Sequence, residues 1–151
     1  MIRTARLDDA AAIAALSGQL GYPATTEQIA GRLEVVLTRQ DMGTFVAAED
    51  GVVVGWIHMF GCERIESDPS AEIGGLVVAN GHRGAGLGSQ LVAAGERWAR
   101  SRGYAVVRVR SNVLRADAHR FYQREGYEPV KRQAVFLKTL AGSERSTKIP
   151  P

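Results

Sequence analysis

The segment Arg83-Gly84-Ala85-Gly86-Leu87-Gly88 is the part of this sequence whose residue types most clearly suit a chemical task. Successive glycines let backbone N–H groups point into one concavity, and the start of the following helix adds roughly half a positive charge. An anion bound in this concavity could also accept a charge-assisted hydrogen bond from Arg83. The turn is therefore predicted to bind phosphate, the alternative being a flexible glycine turn without a ligand.

Two common phosphate motifs differ from this turn. Gly88 is followed directly by Ser89, so the lysine of a P-loop is missing. The glycine spacing is Gly-x-Gly-x-Gly, whereas dinucleotide-binding folds carry Gly-x-Gly-x-x-Gly. The turn also follows the fourth predicted strand, while the Rossmann fingerprint usually follows the first. Both motifs are excluded.

The predicted elements place the turn in the middle of a mixed sheet. Apolar alternation and β-rich runs predict seven strands, at Ile2–Arg6, Thr44–Glu49, Val52–Phe60, Ala71–Val78, Ala105–Arg110, Tyr127–Val130 and Ala134–Lys138. Helical spacing predicts four helices, from Asp8-Asp9 as N-cap candidates to about Leu20, from the capping box of Thr25 and Gln28 to near Arg39, from near Gly86 to Gly103, and from Ala116 to about Arg124. The order β-α-α-β-β-β-α-β-α-β-β predicts an α/β (α+β) fold with a single mixed central sheet.

Two glycine-containing dipeptides predict where the backbone of these strands turns or becomes irregular. Asp50-Gly51 favours a tight type I′ turn between the second and third strands. Gly74-Gly75 interrupts the fourth strand and indicates either a bulge or the close approach of another molecule to the backbone.

Composition restricts the size and location of the protein. The chain has 151 residues, 45% hydrophobic and 23% charged, which is typical of one globular domain. We expect that domain over residues 1–140 and a disordered tail over 141–151, where apolar periodicity is absent. No segment approaches the roughly 20 apolar residues of a membrane helix, and the N-terminus has no signal-peptide core. We therefore expect a cytoplasmic protein without a membrane partner.

Charge and cysteine usage restrict the partners. The formal net charge is +3, and the arginines are spread over several predicted elements, which argues against a nucleic-acid partner. The basic excess between Arg97 and Arg132 would fit a small polyanionic ligand as well as it would fit a nucleic acid. Cys62 is the single cysteine and cannot form an intrachain disulfide. Since no Cys/His cluster has ligand spacing, we expect no metal.

Two motifs follow each other in the second half of the sequence. The first is Leu76-Val77-Val78 followed by the glycine turn, and the second comprises Ala118, Phe121-Tyr122 and Gly126-Tyr127. In this order they resemble two signatures of the GNAT superfamily of acetyl-CoA-dependent N-acetyltransferases, the first being similar to that family's pyrophosphate-binding signature. The resemblance runs from about Ile2 to Leu140. It implies a splayed sheet in which the pantetheine arm of acetyl-CoA lies between the fourth and fifth strands and pairs with the backbone of the fourth.

The resemblance also implies which residues contact acetyl-CoA. The family often carries an asparagine seven residues before the tyrosine, but here that position is Arg115, and the nearest asparagine is Asn112. The cofactor-binding residues implied are Leu76, Val77, Val78, Arg83, Gly84, Ala85, Gly86, Leu87, Gly88, Ser89, Asn112 and Arg115.

Transfer of an acetyl group to an amine needs a base, an acid and an oxyanion donor. Glu72 is the candidate base, because it opens the fourth strand and by alternation shares a face with Leu76 and Val78; the alternative is a solvated strand-end carboxylate. Tyr122 is the acid that the resemblance implies, the alternative being an aromatic packed beside Phe121. A backbone N–H of Leu76 or Val78 is the expected oxyanion donor.

The acceptor site carries no motif. Tyr22, Trp56 and His58 are candidates for its walls. The predicted function is transfer of acetyl from acetyl-CoA to a primary amine of a small molecule, by direct attack in a ternary complex. Acetylation of a protein, peptide or aminoacyl-tRNA and a non-catalytic acyl-CoA sensor stay open as alternatives. A homodimer is expected from the resemblance.

Overall fold

The computed structural model describes residues 1–141, which fall in two compact units. The first unit is Met1–Arg110, and the second begins at Ser111. Apart from residue 141, the tail predicted to be disordered lies outside the described residues.

The first unit is built on one mixed sheet of five strands in the order β1-β2-β3-β4-β5. Neighbouring strands are antiparallel except β4 and β5, which are parallel. Asp50 and Gly51 both have positive φ (51° and 79°), which confirms the tight turn between β2 and β3. The mixed-sheet fold class predicted from the sequence is confirmed. The strands are β1 Ile2–Thr4, β2 Met42–Glu49, β3 Val52–Cys62, β4 Ser70–Val78 and β5 Val107–Val109.

The helices of the first unit are α1 Ala10–Leu20, α2 Thr26–Val36 and α3 Leu87–Ser101. The predicted capping box of α2 is present, since Gln28 N donates to Thr25 Oγ1 (3.1 Å) and Thr25 N donates to Gln28 Oε1 (3.0 Å). Asp9, in contrast, does not cap α1. Its buried carboxylate instead accepts two hydrogen bonds of 2.8 Å from the Arg3 guanidinium and one of 2.8 Å from Arg6 N, and these donors hold it away from the first turn of α1.

Helices cover both faces of the sheet. Helix α3 packs on the face of Ile57 and Met59, where a Cβ at Gly95 would lie 2.7 Å from Met59 Sδ. We call this the α3 face. The opposite side of β3, which we call the Trp56 face, carries Trp56, His58 and Phe60. Near Trp56 it is covered by an apolar cluster from α1, α2 and the sheet, comprising Ala5, Ala10, Ile13, Ala14, Ile29, Leu33 and Val46.

The second unit contains α4, Ala116–Arg124, and no strand among its described residues. The strands predicted at Tyr127–Val130 and Ala134–Lys138 are therefore wrong, and the predicted fifth strand shortens to Val107–Val109. Phe136 is 92% exposed and Val135 71%. A β-rich run becomes a strand only where a neighbour completes its ladder, and this segment has no such neighbour within the described chain.

Candidate active site

Two irregularities of β4 coincide at Gly74. The parallel ladder to β5 covers only Ala71–Ile73, although β4 continues to Val78. The antiparallel register with β3 shifts between His58 and Met59, which leaves Gly74 as an extra residue. The predicted irregularity at the glycine pair is thus confirmed as a β-bulge. Beyond it, the strand has separated from β5.

The bulge changes which side chains share a face. Directly opposed residues in a ladder point to the same side, so Glu72, opposite Phe60, lies on the Trp56 face. Leu76 lies opposite Ile57 and thus on the α3 face, together with Val78. The sequence-based placement of Glu72 on one face with these two residues is wrong, because alternation does not hold across an extra residue.

The backbone of β4 presents hydrogen-bonding groups to the edge that β5 has left, which we call the open edge (Leu76–Val78). Ala79 N donates to Val54 O of β3 at 2.8 Å. Paired and unpaired positions alternate along an antiparallel ladder, so Leu76 and Val78 turn their N–H and C=O groups away from β3. Val77 points its backbone groups to β3 instead, and its side chain is buried. The open edge can therefore pair with an amide-bearing ligand.

The glycine turn follows the open edge after a short 3₁₀ turn, Asn80–His82. Gly84 and Gly86 have φ of 85° and 79°, a conformation that costs other residues free energy. Gly86 is the N-cap of α3 and offers no side chain to the first helical N–H groups, which leaves them available to an anion. Leu87 is buried and anchors the start of α3, so it can contact a ligand only through its backbone.

The exposure of the other residues of the turn differs along it. Gly88 and Ser89, in the first helical turn, are half-buried. The remaining three, Arg83, Gly84 and Ala85, are exposed.

Glu72 is buried, with only 6% of its surface exposed. Its Oε2 accepts a hydrogen bond from Arg110 Nε at 3.2 Å, and the side chain of Arg110 is half exposed. Its Oε1 is buried and has no hydrogen-bond partner among the described residues. The solvated strand-end alternative is therefore wrong. A buried carboxylate oxygen without a partner is costly unless a ligand or water donates to it, so this atom is free to accept a hydrogen bond from a bound group.

His58 shares the Trp56 face with Glu72 and is held in place. Thr44 Oγ1 lies 3.1 Å from His58 Nδ1, and the His58 ring stacks on Phe60 with centroids 6.1 Å apart. Burial lowers the pKa of His58, and the backbone of Gly43 opposes this shift. The imidazole is therefore neutral at pH values near 7.

The two other predicted pocket walls differ from each other. Trp56 packs against the apolar cluster under α1 and α2, but its Nε1 is buried without a partner in the described chain. Tyr22 lies after α1 and is 55% exposed. Trp56 thus combines a packing role with a free donor, whereas Tyr22 packs little within the described residues.

Tyr122 lies on α4 in the second unit, half-buried between two aromatic rings. Its ring meets those of Phe121 and Tyr127 edge to face, with centroids 5.3 and 5.9 Å apart. Burial raises the pKa of Tyr122, and the charge of Arg115 partly offsets this rise. The phenol therefore stays protonated well above neutral pH, as a proton donor must.

Asn112 shapes the loop before α4. Its Oδ1 accepts from Leu114 N (2.9 Å), and its backbone oxygen accepts from His119 Nε2 (2.8 Å) and from Arg115 N (3.0 Å). Arg115 is the N-cap residue of α4. The side-chain oxygen of Asn112 therefore stabilises the turn in which Asn112 lies.

Sequence reasoning missed two residues of the site, Arg110 and Gln19. The alternation of Arg108 and Arg110 in the predicted fifth strand was a usable signal for the first, because it places two cations on one face of that strand. Gln19, whose contacts are described below, carries no motif.

Within residues 1–141, no helix is long and apolar enough to cross a bilayer. In the same part of the chain, no group of three or more His, Cys, Asp or Glu side chains could hold a metal ion.

Two N-acetyltransferases are similar in sequence to parts of this chain. An aminoalkylphosphonate N-acetyltransferase of Salmonella typhimurium is 40% identical over 84 residues, which are 55% of this chain and 54% of that enzyme. The match thus spans about half the length of that relative. An aminoglycoside N(6')-acetyltransferase type 1 of the same organism is 25% identical over 112 residues, covering 70% of this chain and 75% of that protein.

Solved structures share the fold. An aminoglycoside N-acetyltransferase in complex with CoA superposes with a TM-score of 0.83 at 22% identity, over 93% of this chain and 95% of that one. The model of the acetyltransferase (GNAT) family matches residues 11–127. The match includes β4 and the glycine turn of the first unit and α4 of the second. The chain therefore belongs to the GNAT family of acetyltransferases.

Proposed function

We propose that this protein is an N-acetyltransferase that moves the acetyl group of acetyl-CoA to a primary amine of a small molecule. The observation that carries the proposal is the open edge of β4, which leads through one 3₁₀ turn into the uncapped start of α3. An extended amide chain can pair with Leu76 and Val78, while its phosphates meet the N–H groups of the glycine turn. Family membership supports the same assignment.

Glu72 is the base in this proposal. An alkylammonium with a pKa of about 10.4 is almost fully protonated at neutral pH, so attack requires loss of a proton. The unpartnered Oε1 of Glu72 receives that proton, directly or through a water, while Arg110 fixes the other oxygen. The thioester of acetyl-CoA supplies the acyl carbon that the neutral amine attacks.

Tyr122 is the acid. The amine first adds to the acyl carbon and forms a tetrahedral oxyanion. When this oxyanion collapses, the C–S bond breaks, and the phenol gives its proton to the departing thiolate. A phenol kept protonated by burial suits this role. The N–H of Leu76 or Val78 stabilises the oxyanion between the two bond changes.

Initial rates over a matrix of acetyl-CoA and amine concentrations, followed by thiol release, test the proposal. Direct attack in a ternary complex gives intersecting double-reciprocal lines. Parallel lines would indicate an acetyl-enzyme and contradict direct attack. The absence of thiol release with every small amine would contradict the assignment of a small-molecule acceptor.

Among small amines, we infer that those bearing an acidic group are preferred. Arg108 is aligned with Glu72 in the β4–β5 register and therefore lies on the same face. Arg110 is 3.2 Å from the Glu72 carboxylate. A guanidinium binds a phosphonate or carboxylate through paired hydrogen bonds, so an ammonium at Glu72 would place such a group near Arg108. The aminoalkylphosphonate relative supports this class.

Aminomethylphosphonate and methylamine form a matched pair for this test, because only the first carries the acid. We expect Arg108→Gln to lower kcat/KM for aminomethylphosphonate about ten- to hundredfold and to leave methylamine unaffected. An equal loss with both amines would contradict the acid subsite. A clear preference of the wild type for an aminoglycoside over both would contradict the acceptor class.

The same assays separate the other interpretations of the sequence. A protein or aminoacyl-tRNA acetyltransferase would leave all small amines unacetylated. A sensor would bind acetyl-CoA without releasing thiol. The homodimer and the cytoplasmic location stay predictions, the first of which light scattering would test.

A further inference from the structure

Gln19, near the end of α1, makes two hydrogen bonds to the chain just before the glycine turn. Its Nε2 donates to Val78 O at 2.6 Å, and its Oε1 accepts from Asn80 N at 3.1 Å. The partners of Gln19 lie 59 and 61 positions further along the chain, so the contact is purely tertiary. The primary amide satisfies a carbonyl and an N–H at once, and only this orientation of the amide does so.

The two bonds act where β4 lacks a strand neighbour. The ladder to β5 ends at Ile73, and the carbonyl of Val78 points away from β3. Gln19 therefore takes the place that a neighbouring strand would occupy at this position. Because it uses the carbonyl of Val78, it leaves the N–H of that residue on the open edge.

A second tether holds the same segment from the other side. His82 Nδ1 lies 2.9 Å from Glu49 Oε2, at the end of β2. Between Val78 and His82 the chain is thus tied to α1 and to the β2–β3 hairpin. Arg83 and the positive-φ Gly84 follow directly. The orientation of the phosphate-binding turn depends on how firmly this segment is fixed.

We propose that Gln19 is a positioning residue for acetyl-CoA, which rests on the proposed function. It sets the direction in which the chain leaves the open edge and enters the glycine turn, so that the amide-pairing edge and the phosphate-binding N–H groups fit one extended ligand. Gln19 acts through Val78 and Asn80 and takes no part in proton transfer.

Two variants test the two bonds. Gln19→Met keeps the length of the side chain and removes both hydrogen bonds. Gln19→Glu keeps the acceptor for Asn80 N but places a carboxylate oxygen against Val78 O. Gln28→Met is the matched control, because it breaks the capping box of α2 away from the turn and so lowers stability without touching this segment.

Isothermal titration calorimetry with CoA and with pantetheine measures the effect without turnover. We expect Gln19→Met to weaken CoA binding about tenfold, because the variant lacks the two hydrogen bonds that fix the segment before the glycine turn. Pantetheine binding should be weakened less, since pantetheine does not reach the glycine turn. Gln19→Glu should weaken CoA binding as well, while hydrogen exchange at the Asn80 amide stays slow in this variant and becomes fast in Gln19→Met. Gln28→Met should bind CoA as the wild type does.

The outcomes separate this inference from the proposed function. A wild-type protein that binds no CoA would refute the proposed function and this inference with it. CoA binding by the wild type and both Gln19 variants with equal affinity would overturn the inference alone. Equal weakening by Gln28→Met and Gln19→Met would also overturn it, because the effect would then follow stability and not position. If Gln19→Met does not fold, Gln19→Glu decides between the same outcomes.

Discussion

Adding one methyl group at Gly74 should strain the Trp56 face at a known place. A Cβ there would lie 2.8 Å from His58 Cδ2 and 3.2 Å from Phe60 Cδ1. The first distance is closer than carbon atoms approach without displacement. His58 cannot move freely, because its Nδ1 faces Thr44 Oγ1 at 3.1 Å and its ring stacks on Phe60. The φ of Gly74 is not positive, so backbone strain adds nothing to this cost.

Forced overpacking of this kind costs typically about 1–3 kcal/mol. We expect Gly74→Ala to lower the free energy of unfolding by that amount and to lower Tm by about 2–4 °C for each kcal/mol in a chain of this size. Urea denaturation of the wild type, Gly74→Ala, His58→Ala and the double variant forms a double-mutant cycle. Since the imidazole is absent in the His58→Ala background, Gly74→Ala should cost at least about 0.5 kcal/mol less there than in the wild type, and contact with Phe60 accounts for the remaining cost.

The control is Gly31→Ala, in the middle of α2, where a Cβ would meet nothing within 4 Å. This change should stabilise the protein by about 0.5–1 kcal/mol, because alanine has the higher helix propensity. If Gly74→Ala costs the same with and without the His58 ring, contact with that ring is not the cause of the cost. The geometry assigned to the bulge is then refuted.

Three further predictions concern the proton-transfer groups and acid stability. Glu72→Gln keeps the shape of the side chain and should lower kcat about a hundredfold or more with little change in CoA affinity; a rate within twofold of wild type would rule out its role as base. Tyr122→Phe should slow thiol release about a hundredfold and leave CoA binding by calorimetry unchanged, and an unchanged rate would contradict its role as acid. The hydrogen bonds from Arg3 lower the pKa of Asp9, so its stabilisation is present above the unfolded value of about 3.9 and is lost as pH falls through the lower folded value. Unfolding free energies in a pH series should therefore show a smaller acid loss in Asp9→Asn than in the wild type, and parallel curves would contradict this.

Local interactions explain what could be predicted from the sequence. The Asp50-Gly51 turn and the Thr25–Gln28 capping box depend on residues at most three positions apart, and both were predicted correctly. The glycine turn belongs to the same class, since positive φ at Gly84 and Gly86 follows from residue type. The glycine pair in the sequence also indicated the irregularity in β4. It did not establish that the irregularity is a β-bulge with Gly74 as the extra residue.

Long-range pairing decided the rest. Whether Ala134–Lys138 forms a strand depends on a neighbour, which the sequence of the segment does not specify. The face of Leu76 depends on which side of the β3–β4 ladder holds the extra residue, and the ion pair of Glu72 is made with Arg110, 38 residues away. The sequence by itself determined the turn chemistry, the capping box of α2 and the family motifs, because these depend on conformational preferences over a few residues. Only the tertiary structure decided the faces, the ion pair and the Gln19 contacts, because their free energy comes from groups that folding alone brings together.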